Sequence, residues 1–293
     1  MRKLYFLLIL GLSACDIFDE EEQIPSFVTI SRADLTVAAD GSEGEDTQAI
    51  VDAHVFANDV FVGTVELPGT VAILEEGPTR ITVGAGIRNN GLTANRIIYP
   101  FYQFVSTEID LMPGVVSPIS EDSVATFQYF PQENPAQIEM FIEGFEGVGN
   151  VWETEPGSQG IVNTVEPEEV ISGFGSGKVT LDDENSVMNV YSSTNSWDLS
   201  AVRPGSSVYL EIDYKANNPV EIGIRTLDPD NSRRIFALGL NPTDTPTKVY
   251  VDLTNEVGLG QTNNFQIYLE AEKVVAEPLV EIFLDNIKVI YPV

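Results

Sequence analysis

The sequence predicts an all-β protein made of two successive sandwich units. Three observations carry that reading. Apolar residues recur with period two rather than 3.6 in one segment after another, and Asn, Asp, Gly and Pro clusters separate those segments. Hydrophobic side chains make up 43% of the 293 residues, enough for packed cores and too many for a disordered acidic chain.

The chain begins with Arg2 and Lys3, followed by an apolar run from Leu4 to Leu12 that is too short to span a bilayer as a mature helix. The run ends on Leu12-Ser13-Ala14-Cys15, which contains the only cysteine in the chain. That stretch resembles the lipobox of bacterial lipoproteins. The resemblance implies cleavage after residue 14, lipid on the Cys15 thiol and attachment to a membrane through that lipid. Residues 15–23, with Asp16, Asp19 and Glu20 to Glu22, form an acidic tether whose like charges repel and extend it. The cluster is similar to the signal that routes surface lipoproteins of the Bacteroidota to the outer face of the outer membrane, so a location there, facing the exterior, is expected.

Charge narrows the partners. The chain holds 45 acidic and 15 basic side chains, a formal charge of −30. Cleavage would remove Arg2 and Lys3 and take it to −32. Such a surface repels nucleic acid and anionic lipid. With one cysteine no intrachain disulfide forms, so burial or a metal ion must hold the fold.

Residues 24–114 read as the first unit. Val51, Ala53, Val55 and Ala57 alternate with Asp52, His54 and Phe56, and Asn58-Asp59 turns this strand into Val60–Val65. Arg80–Val83, Arg96–Val105 and Thr107–Leu111 supply further strands. Val62-Gly63-Thr64, Glu66-Leu67-Pro68 and Leu74-Glu75-Glu76-Gly77 before Arg80-Ile81-Thr82-Val83 resemble the PEGA-type modules, small Ig-like β domains of bacterial surface proteins. The resemblance implies a spacer that presents the second unit. Residues 115–136 read as a linker, punctuated by Pro118, Pro131 and Pro135, with one strand from Ser123 to Phe130. Asp122-Ser123-Val124 is similar to the O-glycosylation site of Bacteroidota secreted proteins, which makes Ser123 a candidate acceptor.

Residues 137–293 read as the second unit. Val208–Lys215, Val220–Thr226, Val249–Leu253, Phe265–Glu270 and Val280–Tyr291 all alternate, with turns at Asn217-Asn218-Pro219, Asp228–Asn231 and Asn241-Pro242. Gly144-Phe145-Glu146-Gly147, Gly175–Lys178 running into a strand, Tyr209–Tyr214 and a closing Asp285-Asn286-Ile287 resemble jelly-roll carbohydrate-binding modules of the galactose-binding-like fold. The expected fold class is therefore an Ig-like β-sandwich followed by a jelly-roll β-sandwich. The resemblance also implies a structural calcium ion between the first and last strands. Glu146 and Asp285 would give it carboxylate oxygens, and Gly144 and the backbone up to Lys178 would give carbonyls.

Sugar binding needs aromatic platforms beside hydrogen-bonding groups. Tyr209, Tyr250 and Tyr268 fall on the polar phase of their strands together with Arg225, Glu211, Asp213 and Glu270, and Trp152 and Trp197 lie in loop-like surroundings. These residues are the candidate polysaccharide site. The alternative is that the second unit docks outer-membrane proteins as an accessory or structural subunit. Catalysis is not expected. His54 is the only histidine and stands mid-strand, Gly173–Val179 lacks the first glycine and the Ser/Thr of a phosphate loop, and ligands for zinc are missing.

Overall fold

The computed structural model describes residues 22–133, 137–193, 205–227, 232–260, 265–274, 276 and 278–293. The fold is all-β, with one short helix, α1 (Thr254–Gly260), among the described residues.

The first unit is a sandwich. One layer holds β3 (Ile50–Ala57), β4 (Val60–Glu66), β6 (Gly77–Arg88), β7 (Arg96–Ile98) and β8 (Val105–Leu111), with β3 and β6 at its centre. Asn58 and Asp59 join β3 to β4 with φ of 48° and 67°, the left-handed pair that a two-residue hairpin requires. The other layer contains β1 (Ser26–Ile30), β2 (Arg32–Leu35), β5 (Gly69–Ile73), β9 (Val116–Pro118) and β10 (Val124–Phe127). The expected linker is therefore part of this unit. β9 runs parallel to β1 and β10 parallel to β2, while Phe127 and Tyr129 are buried. Proline did mark strand ends there, but the intervening apolar residues had a sheet edge to join.

The second unit is a jelly roll. Its first sheet runs β13 (Val162–Thr164), β14 (Ser176–Leu181), β21 (Val280–Pro292), β16 (Tyr209–Ala216) and β19 (Thr243–Asp252), with β11 (Ile138–Glu143) also on β21. Its second sheet runs β12 (Trp152–Thr154), β15 (Val187–Ser192), β20 (Phe265–Glu272), β17 (Val220–Thr226) and β18 (Arg234–Leu240). From β14 to β21 the chain changes sheet at every step except β17 to β18, which is jelly-roll connectivity. Alternate residues of both sheets, Leu210, Ile212, Ile222, Ile224, Ile267, Leu269, Ile282 and Leu284 among them, fill the space between.

The two units share a core. Tyr209, Tyr250 and Ile290, on the outer face of the first jelly-roll sheet, belong to the same buried cluster as Tyr99, Phe101, Tyr102 and Tyr129 of the first unit. The expected strand Arg96–Val105 breaks after Ile98, at Tyr99-Pro100, and the following residues carry Phe101 and Tyr102 into this junction. Instead of standing detached, the first unit packs over Tyr209, Tyr250 and Ile290 on the outer side of the first jelly-roll sheet.

Candidate functional site

The junction between the units is a buried polar network. Along β16 the outward phase is Tyr209, Glu211, Asp213, and across the register stand Tyr250 and Lys248 on one side and Ile290 and Lys288 on the other. Glu211 is fully buried and accepts hydrogen bonds from the hydroxyls of Tyr99 (2.7 Å) and Tyr129 (2.9 Å), while Lys248 lies 3.0 Å away. Lys288 donates to the Tyr129 hydroxyl and to the Glu45 carbonyl, and Thr47 donates to Asp213. Burial pushes the Glu211 carboxyl up, but the charges of Lys248 and Lys288 outweigh it and hold the group below its ordinary value. Lys288, chiefly through burial, falls to about 8. Lys248 pairs with Glu211 and Asp213, and the Tyr129 hydroxyl links Glu211 to Lys288. Such a cluster specifies how the two units fit.

This arrangement corrects part of the sequence expectation. Tyr209 and Tyr250, expected on an open face, are 2% and 1% exposed beneath the first unit. Tyr209 donates to Asn89 Oδ1, and the Tyr250 hydroxyl accepts from the Ala49 amide. Tyr268 belongs to the other sheet, so the three tyrosines do not meet. Trp152 points into the jelly-roll core instead of forming a rim platform. Trp197 and Cys15 lie outside the described residues. Ser123 is half-buried in the turn entering β10, with φ of 60°.

The side chains suggested for calcium each have hydrogen-bond or ion-pair partners of their own. Asp285 Oδ2 accepts from the Ser172 amide, the Ser172 hydroxyl and the Ser176 hydroxyl, at 2.8–3.1 Å. Glu146 accepts from the Phe174 amide at 2.9 Å, and Lys178 pairs with Glu169 and Glu281. Gly144 lies next to Phe145, whose ring fills the space above Gly177. Asp285 Oδ2 is thus held by one amide and two hydroxyls, and Glu146 by a separate amide. Among the described residues, no group of three or more His, Cys, Asp or Glu side chains is placed to hold a metal.

Asp285 nonetheless carries a pH signature. Burial raises its carboxyl to about 6, against the opposing hydrogen bonds from Ser176 and Ser172. The folded protein therefore binds this proton more tightly than the unfolded chain, whose carboxyl keeps the ordinary value of 3.8. Stability from this group is highest below about pH 4 and falls as pH rises towards about 6. Urea midpoints of the parent and Asp285→Asn proteins across that window should diverge, the parent losing ground as pH rises. Parallel slopes would contradict the shift.

The face that remains open is the outer side of the second jelly-roll sheet. One register row crosses all five strands: Glu153, Tyr191, Tyr268, Gly223 and Phe236. A Cβ on Gly223 would sit 2.6 Å from the Tyr268 ring, so glycine there lets the ring lie flat across β17. Phe236, on the edge strand, is 54% exposed, whereas Tyr268 is 4% exposed. Beside this row the Arg225 guanidinium stacks 4.4 Å from the centre of Tyr191, and Arg234 lies 5.5 Å from that of Tyr268. Arg234 bonds Glu155 (2.6 Å), Glu270 (2.9 Å) and Asn189 (2.8 Å).

Of the sequence candidates, Tyr268 and Arg225 lie on this side of the sheet, with Tyr268 buried. Tyr191, Phe236, Arg234, Asn189 and Glu155 were missed. Tyr191 and Phe236 each lie one strand away from a recognised position, but nothing in the local pattern says which strands are neighbours.

No family model matches the chain, and no curated protein matches it. Among solved structures it is similar to a family 29 carbohydrate-binding module, at 10% identity and a TM-score of 0.35, over 54% of this chain and 90% of that one. A variant of such a module complexed with mannohexaose gives 10% identity and a TM-score of 0.35, covering 54% and 93%. Another complexed with cellulohexaose gives 8% and 0.34, covering 53% and 92%.

Proposed function

We propose that the protein is a non-catalytic, lipid-anchored surface protein that binds glycan on the open face of the second jelly-roll sheet. The observation that carries this reading is the exposed Phe236 ring in one row with the half-buried Tyr191, over a buried Tyr268, flanked by Arg225, Arg234, Asn189, Glu155 and Glu270. Aromatic faces take the C–H faces of sugar rings. Fork-shaped guanidinium, carboxylate and amide groups take adjacent hydroxyls in pairs. The side chains of the network are already held by one another, so little ordering remains to be done on binding. A charge of −30 favours a neutral glycan over a polyanion.

The test is affinity electrophoresis or calorimetry of the soluble chain with a panel of neutral polysaccharides. Phe236→Ala should weaken binding of the active glycan by about tenfold or more, through loss of one stacking platform. Arg234→Ala should weaken it further, by freeing Glu155 and Glu270 as well. No binding across the panel, or binding indifferent to both variants, would remove the reading.

The lipid anchor on Cys15, the outer-membrane location and glycosylation at Ser123 are parts of the same proposal and rest on the sequence motifs. The structural calcium ion is also part of the proposal and rests on the same kind of sequence resemblance. A rise in melting temperature with calcium that Glu146→Ala abolishes would establish it, and no rise would end it.

A second reading, as an accessory subunit of an outer-membrane assembly, is favoured by one surface feature of the first unit. Val60, Phe61 and Phe104 are 68%, 54% and 46% exposed, and the rings of Phe61 and Phe104 both pack on Phe56. An exposed aromatic patch of this kind suits a protein partner.

A further inference from the structure

A cleft of about 490 Å³ opens where the two units meet, away from the open sheet face. The first unit gives it Gln48, Arg88 and the turn Asn90-Gly91-Leu92, and the jelly roll gives it Asn241, Lys248 and Tyr250 from the β18–β19 region. Its volume lies in the range of small-molecule sites.

Its charge is the reverse of the rest of the molecule. The chain has three acidic side chains for every basic one, 45 against 15, yet the lining contains Arg88 and Lys248 and no Asp or Glu. Lys248 is spoken for by Glu211 and Asp213 beneath it. Arg88 is not. Its Nε is shut off from solvent and has no hydrogen-bond partner. Its cross-strand neighbour is another cation, Arg96, which takes the nearest acids, Asp52 and Glu66. Every other arginine among the described residues has an acid or a backbone carbonyl as partner.

A buried guanidinium N–H without an acceptor is costly to keep. A carboxylate in the cleft would pair with the two terminal nitrogens of Arg88, which face no acid among the described residues, in the two-point geometry that arginine favours. The surrounding negative charge repels polyanions but is screened over about 8–10 Å, so a small singly charged ligand can enter. We propose that this interdomain cleft binds a small carboxylate ligand, with Arg88 as its anchor and the side-chain amides of Asn90 and Asn241 as flanking donors. This site is separate from the glycan face and stands whether or not that face binds sugar.

The test uses the soluble chain with three probes: galacturonate, succinate and, as the uncharged control, galactose. Backbone and side-chain amide signals of Asn90, Gly91 and Asn241 are followed by NMR titration. Galacturonate should shift them, and galactose should not. Succinate acting equally well would support recognition of the carboxylate alone, whereas selectivity for galacturonate would support it with added contacts to the sugar. Arg88→Met, which removes the unpaired charge while keeping the stem, should fold and weaken binding by about tenfold or more. Arg88→Lys should fall between, because an ammonium group lacks the fork. Arg234→Ala, on the glycan face, should leave these shifts unchanged. Absence of shifts with both carboxylates, or shifts that persist in Arg88→Met, would overturn the proposal.

Discussion

Replacing Glu211 with alanine is expected to destabilise the protein by about 3–5 kcal/mol, the range for removing one partner of a buried charge cluster. The loss comes from the groups left behind. Lys248 remains 3% exposed with Asp213 as its one acid partner, and Lys288 remains fully buried with the Tyr129 hydroxyl and the Glu45 carbonyl as acceptors. The hydroxyls of Tyr99 and Tyr129 also lose their acceptor. Urea unfolding of the soluble chain measures the effect. Glu211→Gln keeps one acceptor oxygen and the volume and should cost less than alanine. A cost below about 1 kcal/mol for Glu211→Ala would mean that the network contributes no more than an exposed ion pair.

Tyr99→Ala should cost about as much, near the 3–5 kcal/mol typical of deleting a buried aromatic ring. It should also change the form of the transition. The Tyr99 ring packs at 4.7–5.6 Å against Phe101 and Tyr102 of its own unit and against Tyr209 and Tyr250 of the jelly roll. With that ring in place the two units share one buried cluster, and the protein should melt in a single cooperative step. With the ring gone, calorimetry should show the transition broaden or split as the units uncouple. An unchanged single transition at an unchanged temperature would show that the junction is energetically passive.

Most of the strands were legible because period two is a local property. Val208 to Lys215 alternates because one side of β16 faces the jelly-roll core, and each residue's side can be read from its own neighbours. The turn at Asn58-Asp59 was legible for a similar reason: both residues tolerate positive φ. The jelly-roll order was readable only through the resemblance of Phe145-Glu146, Gly175–Lys178 and Asp285–Ile287 to a known pattern.

The candidate site was legible only in part. Placing Tyr209 and Tyr250 on the outward phase of their strands was correct, yet the outward side of that sheet turned out to be an interior. A signal for this existed in Tyr99-Pro100-Phe101-Tyr102 and Tyr129, a density of aromatics that no exposed spacer or linker needs. The matching charges, Glu211 and Asp213 against Lys248 and Lys288, carried no such signal, because each also reads as an ordinary exposed strand residue.

The sequence by itself determined the all-β class, the position of most strands, the acidity of the surface and the Cys15 motif, all of which depend on residues near one another in the chain. Tertiary structure alone decided which sheet each strand joins and which outer face is covered. It also brought Arg88 to a cleft without acids and Phe236 beside Tyr268. Those outcomes depend on pairings between residues tens to hundreds of positions apart, such as Tyr99 with Glu211 or Thr47 with Asp213. Alternation says only that a side chain leaves its own sheet; the surface it then meets is set by how the two units pack.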